Sequence, residues 1–171
     1  MEGKARELSE IVKVCKSIFG ISDISELQAV LIEATLQNRV DLYHAFVEAV
    51  ALDAEPIQKI FQYWMADRDI AKQDFTPPSL GCLVARLSGN ANTVYDCCAG
   101  VGTLTVAAHR VNPAAAFICD ERDDIAIPFL LFNLALHNIK AVVRRIDILN
   151  GDIFEIYTTE PGEQYARITR L

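Results

Sequence analysis

The sequence predicts an α/β fold: a parallel sheet with an N-terminal helical subdomain and a C-terminal β-hairpin. Three observations carry this. Apolar residues recur at helical spacing through residues 7–68, short apolar strands alternate with helical patterns from Thr93 onward, and Glu160-Pro161-Gly162-Glu163 separates two β-rich runs near the end. Strands that alternate with helices pair in parallel and are joined by right-handed crossovers. The division expected is 1–70 for the helical subdomain and 71–171 for the sheet domain.

The helices come first. Leu8, Ile11, Val12, Cys15, Ile18 and Phe19 repeat every three or four positions, and Gly20 ends the pattern. Ser25-Glu26-Leu27-Gln28 reads as a capping box opening a second helix through Leu27, Val30, Leu31, Ala34 and Thr35. A third carries Leu42, Phe46, Val47 and Val50, and Pro56 suits the first turn of a fourth with Ile57, Ile60, Phe61 and Trp64 on its apolar side. Prolines 77 and 78 break the pattern, and a short helix follows at Leu80–Leu87. Strands are then expected at about 93–97, 115–119 and 141–146, with helices at about 103–110 and 123–137 between them. Asn112-Pro113 is a turn, and Ile153–Thr158 with Gln164–Thr169 make the hairpin.

Composition narrows the function classes. The chain has 171 residues, 51% hydrophobic and 23% charged, in keeping with a soluble, well-cored protein. It has no apolar run of roughly 20 residues to span a bilayer and no leader-like N-terminus, so a cytoplasmic protein without a membrane role is expected. The five cysteines lack metal spacing, so no metal site is expected; they read as reduced, buried thiols. Net charge is −7, which argues against an independent grip on nucleic acid, and the densest basic pair, Arg144-Arg145, falls in a strand.

The candidate site starts at Asp96-Cys97-Cys98-Ala99-Gly100-Val101-Gly102-Thr103. A strand leads into a Gly-x-Gly turn and then a helix, so backbone can approach a ligand closely and first-turn N–H groups face it. Acids stand at three successive strand ends: Asp96, Glu121 and Asp147. In an open parallel sheet, ligands bind beyond those ends. An acid after the second strand can accept from two ribose hydroxyls, and one after the third from an exocyclic amine. Phosphate is disfavoured, because the acids repel it and no P-loop lysine follows the turn.

These residues resemble the S-adenosylmethionine (SAM) domain of amino-type, adenine-N6 DNA methyltransferases, particularly the methylase subunit of type I restriction-modification systems. Lys72-Gln73-Asp74-Phe75-Thr76-Pro77 is similar to that family's Gly-Gln-Phe-Tyr-Thr-Pro element, and Asp96–Leu104 to its Asp-Pro-x-Cys-Gly-Ser-Gly-Gly-Leu. Cys119-Asp120-Glu121 with Asn133–Asn138 matches the ribose acid and its following helix, and Ile146-Asp147-Ile148-Leu149 stands at Gly-Asp-Ser-Leu. The resemblance spans roughly residues 70–150.

It implies a Rossmann-like SAM-dependent methyltransferase fold with a partial sheet, and SAM as cofactor. Phe75, Thr76 and Pro77 would meet the methionine end; Asp96, Ala99, Gly100 and Gly102 would line the turn beneath it. Glu121, rather than Asp120, would hold the ribose and Asp147 the adenine amine. Cys97, Ala99 and Val101 replace the family's proline, cysteine and serine, at positions where backbone makes most contacts. The family's Asn/Asp-Pro-Pro-Tyr/Phe motif, which contacts the target base, is absent, so no catalytic residue can be named. The expectation is a module inactive alone, with a partner chain supplying the target-base pocket and the grip on DNA. The alternative is a catalytically silent SAM-binding or scaffold protein. A dinucleotide oxidoreductase is disfavoured by the missing third glycine of Gly-x-Gly-x-x-Gly.

Overall fold

The computed structural model describes residues 4–64 and 76–171. Its fold is mixed α/β, with a five-stranded sheet in the order β1-β2-β3-β4-β5. The strands are β1 (Thr93–Asp96), β2 (Ala116–Glu121), β3 (Ala141–Asp147), β4 (Asp152–Glu160) and β5 (Arg167–Arg170). The first three are parallel and the last two antiparallel, so a βαβαβ unit is extended at one edge by the hairpin. Among the described residues β1 pairs only with β2, which leaves its outer edge open.

Among the described residues five α-helices precede the sheet, and the first four are α1 (Leu8–Phe19), α2 (Leu27–Leu36), α3 (Val40–Ala49) and α4 (Pro56–Trp64). Gly20 closes α1 in the left-handed conformation at φ 65°, where glycine lacks the Cβ penalty. Pro56 opens α4 as anticipated. The capping box lies elsewhere than expected. Asp23 and Glu26 form it around a short 3-10 turn, because the Asp23 carboxylate accepts from the Ser25 N–H at 2.9 Å while Glu26 accepts from the Asp23 N–H at 2.7 Å. Next come α5 (Pro78–Leu87), α6 (Thr103–Val111) and α7 (Ala126–Leu136).

α7 organises the core. Every one of its residues is buried, as befits a helix apolar on all sides. Pro128 is tolerated because it sits in the first turn, where backbone N–H groups have no helical acceptor. Phe132 meets Phe19, Tyr43 and Phe46 edge-on at centroid distances of 5.8, 5.6 and 5.3 Å, and Phe61 meets Phe129 at 5.3 Å. The N-terminal helices thus share one apolar core with the sheet.

That core covers a single face of the sheet. Phe117, Cys119, Val143, Tyr157 and Ile168 point into it. On the opposite face Tyr95 is 55% and Val142 38% exposed, and Ile118 between them is half-buried. Parallel strands normally have both faces covered.

The cysteines differ from expectation. Cys15 and Cys119 are buried, their thiols pushed up to about 12 chiefly by burial, but Cys82, Cys97 and Cys98 are exposed. Periodicity could not separate the two groups: Cys82 lies on an outward side of the Pro78–Leu87 helix, and Cys97 and Cys98 stand out from a turn whose Ala99 and Val101 are buried.

Burial, together with nearby Arg110 and His109, holds His137 down to about 4, against an ordinary value of about 6.5. Folding therefore keeps this imidazole neutral while the unfolded chain protonates. The associated stability is complete above about pH 6.5 and is lost as pH falls toward 4. The shift corresponds to about 3 kcal/mol. Urea midpoints should fall between pH 7.5 and 4.5, with a visibly smaller fall in His137→Leu; equal falls in both proteins would assign the acid sensitivity elsewhere.

Candidate functional site

The residues that leave the carboxyl ends of β1, β2 and β3 converge on one another. After β1 the backbone turns through Gly100 (φ 55°) and Gly102 (φ 86°), both left-handed. Gly102 caps α6, and a Cβ there would come within 2.8 Å of Leu130 Cδ1 on α7. At Gly100 a Cβ would meet nothing within 4 Å, so that turn is open above its backbone. The turn is pinned on three sides. The Ala99 N–H donates to the Asp120 carbonyl at 2.9 Å, and Asn133 Nδ2 on α7 donates to the Val101 carbonyl at 2.9 Å. Thr105 Oγ1 donates to Asp96 at 2.7 Å. Burial raises the Asp96 carboxyl above its usual range, partly offset by the hydrogen bonds from Thr105 and the Cys98 N–H.

Glu121 reaches back over this turn. One carboxylate oxygen accepts from the Gly100 N–H at 2.6 Å; the other accepts from the Arg122 and Asp123 N–H groups at 2.7 and 2.8 Å. Three backbone donors thereby fix its position at the mouth of the β1–β2 crevice. Asp120 is turned the other way. On the open sheet face it takes a bidentate pair from Arg144 at 2.7 and 2.7 Å and the Tyr95 hydroxyl at 2.6 Å. These partners outweigh its desolvation and hold the Asp120 carboxyl below its usual range. With every oxygen engaged and 1% of the side chain exposed, Asp120 has little capacity left for a ligand.

Asp147 lies just past the β2–β3 ladder, in which Glu121 stands opposite Arg145. It accepts from the Leu149 N–H at 3.1 Å and Asn150 Nδ2 at 3.3 Å. Arg122 Nε stands 3.6 Å from it. Arg122 therefore links the two carboxylates: its N–H holds Glu121 and its guanidinium approaches Asp147. That arginine was legible as a basic residue bracketed by Asp120, Glu121, Asp123 and Asp124, yet the sequence assigned it no role.

Of the element before α5, Phe75 lies outside the described residues. Pro77 caps α5, and the Thr76 carbonyl accepts from Gln58 Nε2 at 3.3 Å. Gln58 Oε1 in turn accepts from Thr103 Oγ1 at 3.1 Å. This buried glutamine on α4 ties the segment before α5 to the start of α6, and one polar residue in an amphipathic helix gives no sequence signal for such a role.

Asp96, Ala99, Gly100, Gly102, Glu121 and Asp147 thus stand at or just past the carboxyl ends of the parallel strands, and Gln58 links Thr76, next to Pro77, to Thr103 at the start of α6. Chemically the site offers carboxylate acceptors and a fixed turn of backbone. Among the described residues no group of three or more His, Cys, Asp or Glu is arranged to hold a metal ion. The pair Arg144-Arg145 is neutralised, by Asp120 and by Glu155 at 2.9 Å, and so adds no basic patch for nucleic acid. No helix among the described residues is long and apolar enough to cross a membrane.

No family model matches the chain and no curated protein matches it significantly. A solved structure similar to it is that of a Listeria monocytogenes protein assigned to the class I S-adenosylmethionine-dependent methyltransferases. The two are 19% identical with a TM-score of 0.46, over 80% of this chain and 52% of that one. The chain spans about half the length of that protein.

Proposed function

We propose that the chain is a SAM-binding module of the adenine-N6 DNA methyltransferase type, inactive by itself. The observation that carries this reading is the position of Glu121, hydrogen-bonded to Gly100 across the β1–β2 crevice with Asp147 beyond it. The residues fit the group. A turn with open space above Gly100 admits a ligand against the backbone, and an anchored carboxylate can accept from vicinal hydroxyls. In this reading Glu121 holds the ribose hydroxyls, Asp147 accepts from the adenine amine once Arg122 swings aside, and Phe75, Thr76 and Pro77 border the methionine end. SAM would supply an activated methyl group on its sulfonium.

A second protein is part of the proposal. Among the described residues none is placed to polarise an acceptor amine, and the net charge of −7 opposes independent DNA binding. The open edge of β1 and the uncovered sheet face around Tyr95 and Val142 favour a partner that adds the target-base pocket there. A cytoplasmic setting goes with this reading. The alternative, a silent SAM-binding scaffold, is favoured by Arg122 already standing against Asp147.

Calorimetry with SAM, S-adenosylhomocysteine and NAD tests the binding claim: saturable one-to-one heat with the first two and none with NAD is expected. Radiolabelled methyl transfer to adenine-containing DNA tests the rest. The isolated chain should transfer nothing, and addition of a partner bearing Asn-Pro-Pro-Tyr should restore transfer. Transfer by the chain alone would contradict the proposal.

A further inference from the structure

Cys97 and Cys98 are consecutive, exposed, and unused by the proposed function. They occupy the turn between β1 and Gly100, whose backbone is held on both sides of the pair. Asp96 accepts from the Cys98 N–H, and the next two N–H groups donate to the Asp120 carbonyl and to Glu121. The Cys97 thiol lies near enough to Cys98 to raise its thiol.

We propose that Cys97 and Cys98 form a dithiol site for soft, trivalent metalloids, both sulfurs taking one centre, and that its occupation closes the cleft over Gly100 and Glu121. The closure rests on the nucleoside reading above; the dithiol site does not.

The surroundings select this chemistry over other thiol reactions. Burial, the Cys97 thiol, Glu121 and Asp96 all push the Cys98 thiol up. Alkylation and disulfide exchange proceed through the thiolate, so both are suppressed at Cys98. An internal disulfide is strained as well, since adjacent Cα atoms lie about 3.8 Å apart, short of the roughly 4.4–6.8 Å usual for a bridge. A trivalent metalloid avoids both obstacles. It lengthens the bridge by one atom, and its product with two sulfurs is uncharged beside the two carboxylates. With phenylarsine oxide, the As=O bond and two S–H bonds break and two As–S bonds form. The two protons leave with the oxygen as one water, and arsenic remains trivalent.

The test uses the full reduced chain and phenylarsine oxide, read by intact mass. One adduct per chain is expected, retained against excess monothiol and released by a competing dithiol. Cys97→Ser and Cys98→Ser should each lose the retained adduct, and Cys82→Ser should keep it. No adduct on the wild type, or equal retention in the Cys97 and Cys98 variants, would overturn the site. SAM titrated into the adducted chain should bind at least tenfold more weakly than into the free chain, and equal affinity would overturn closure. If the free chain fails to bind SAM while the adduct forms as described, the closure and the nucleoside reading fall together and the dithiol site stands.

Discussion

Glu121→Ala is expected to weaken SAM binding at least ~100-fold. Two charge-assisted hydrogen bonds to a ribose, at about 1.5–3 kcal/mol each, account for that factor. The substitution also removes the acceptor shared by the Gly100, Arg122 and Asp123 N–H groups, so the turn beneath the nucleoside loses its anchor. Asp147→Ala should cost less, about tenfold, because its proposed contact is a single amine and Arg122 competes for the carboxylate. Calorimetry separates these outcomes. An affinity for Glu121→Ala within threefold of wild type would remove the ribose from this carboxylate. Asp120→Asn is an informative companion. Asp120 is committed to Arg144 and Tyr95 on the other face, so its loss should lower the melting temperature and leave SAM affinity largely intact.

Phe132→Ala should be the most destabilising single change, at about 3–5 kcal/mol, or on the order of 10 °C in melting temperature. The ring is fully buried and touches aromatic residues from α1 and α3 at once. Its removal leaves a cavity that three separate elements would have to close together. Differential scanning calorimetry measures the loss; a shift under about 1 kcal/mol would mean that the N-terminal helices dock on α7 far more loosely than the packing indicates. The same change should affect SAM binding only through folding, since the Phe132 ring packs on Phe19, Tyr43 and Phe46 of α1 and α3.

Much of the fold was legible because its signals are local. Gly20 and Pro56 mark helix ends through backbone geometry alone, and the alternation after Thr93 reflects two periods that differ strongly, 2 and 3.6. The capping box was misplaced by two residues. Ser25 and Asp23 both suit an N-cap, and tertiary packing of Ile24 into the core chose between them. The site was legible where chain position dictates placement, at strand ends and at a Gly-x-Gly turn. It was not legible where side chains meet across the fold. Asp120 and Glu121 are neighbours in sequence, yet strand alternation sends one to the open face with Arg144 and the other to the turn. Gln58 meets Thr103 across 45 positions, and no local pattern encodes such a contact.

The central claim is that Glu121, held by the Gly100, Arg122 and Asp123 N–H groups, accepts from the hydroxyls of a bound nucleoside. Amide NMR of the isotopically labelled chain, titrated with S-adenosylhomocysteine, reads those donors directly. Resonances of Gly100 and Arg122, whose N–H groups bond to Glu121 at 2.6 and 2.7 Å, should shift together and saturate at one ligand per chain. Static resonances at both positions through saturation, or shifts confined to the open face around Tyr95 and Val142, would contradict the account.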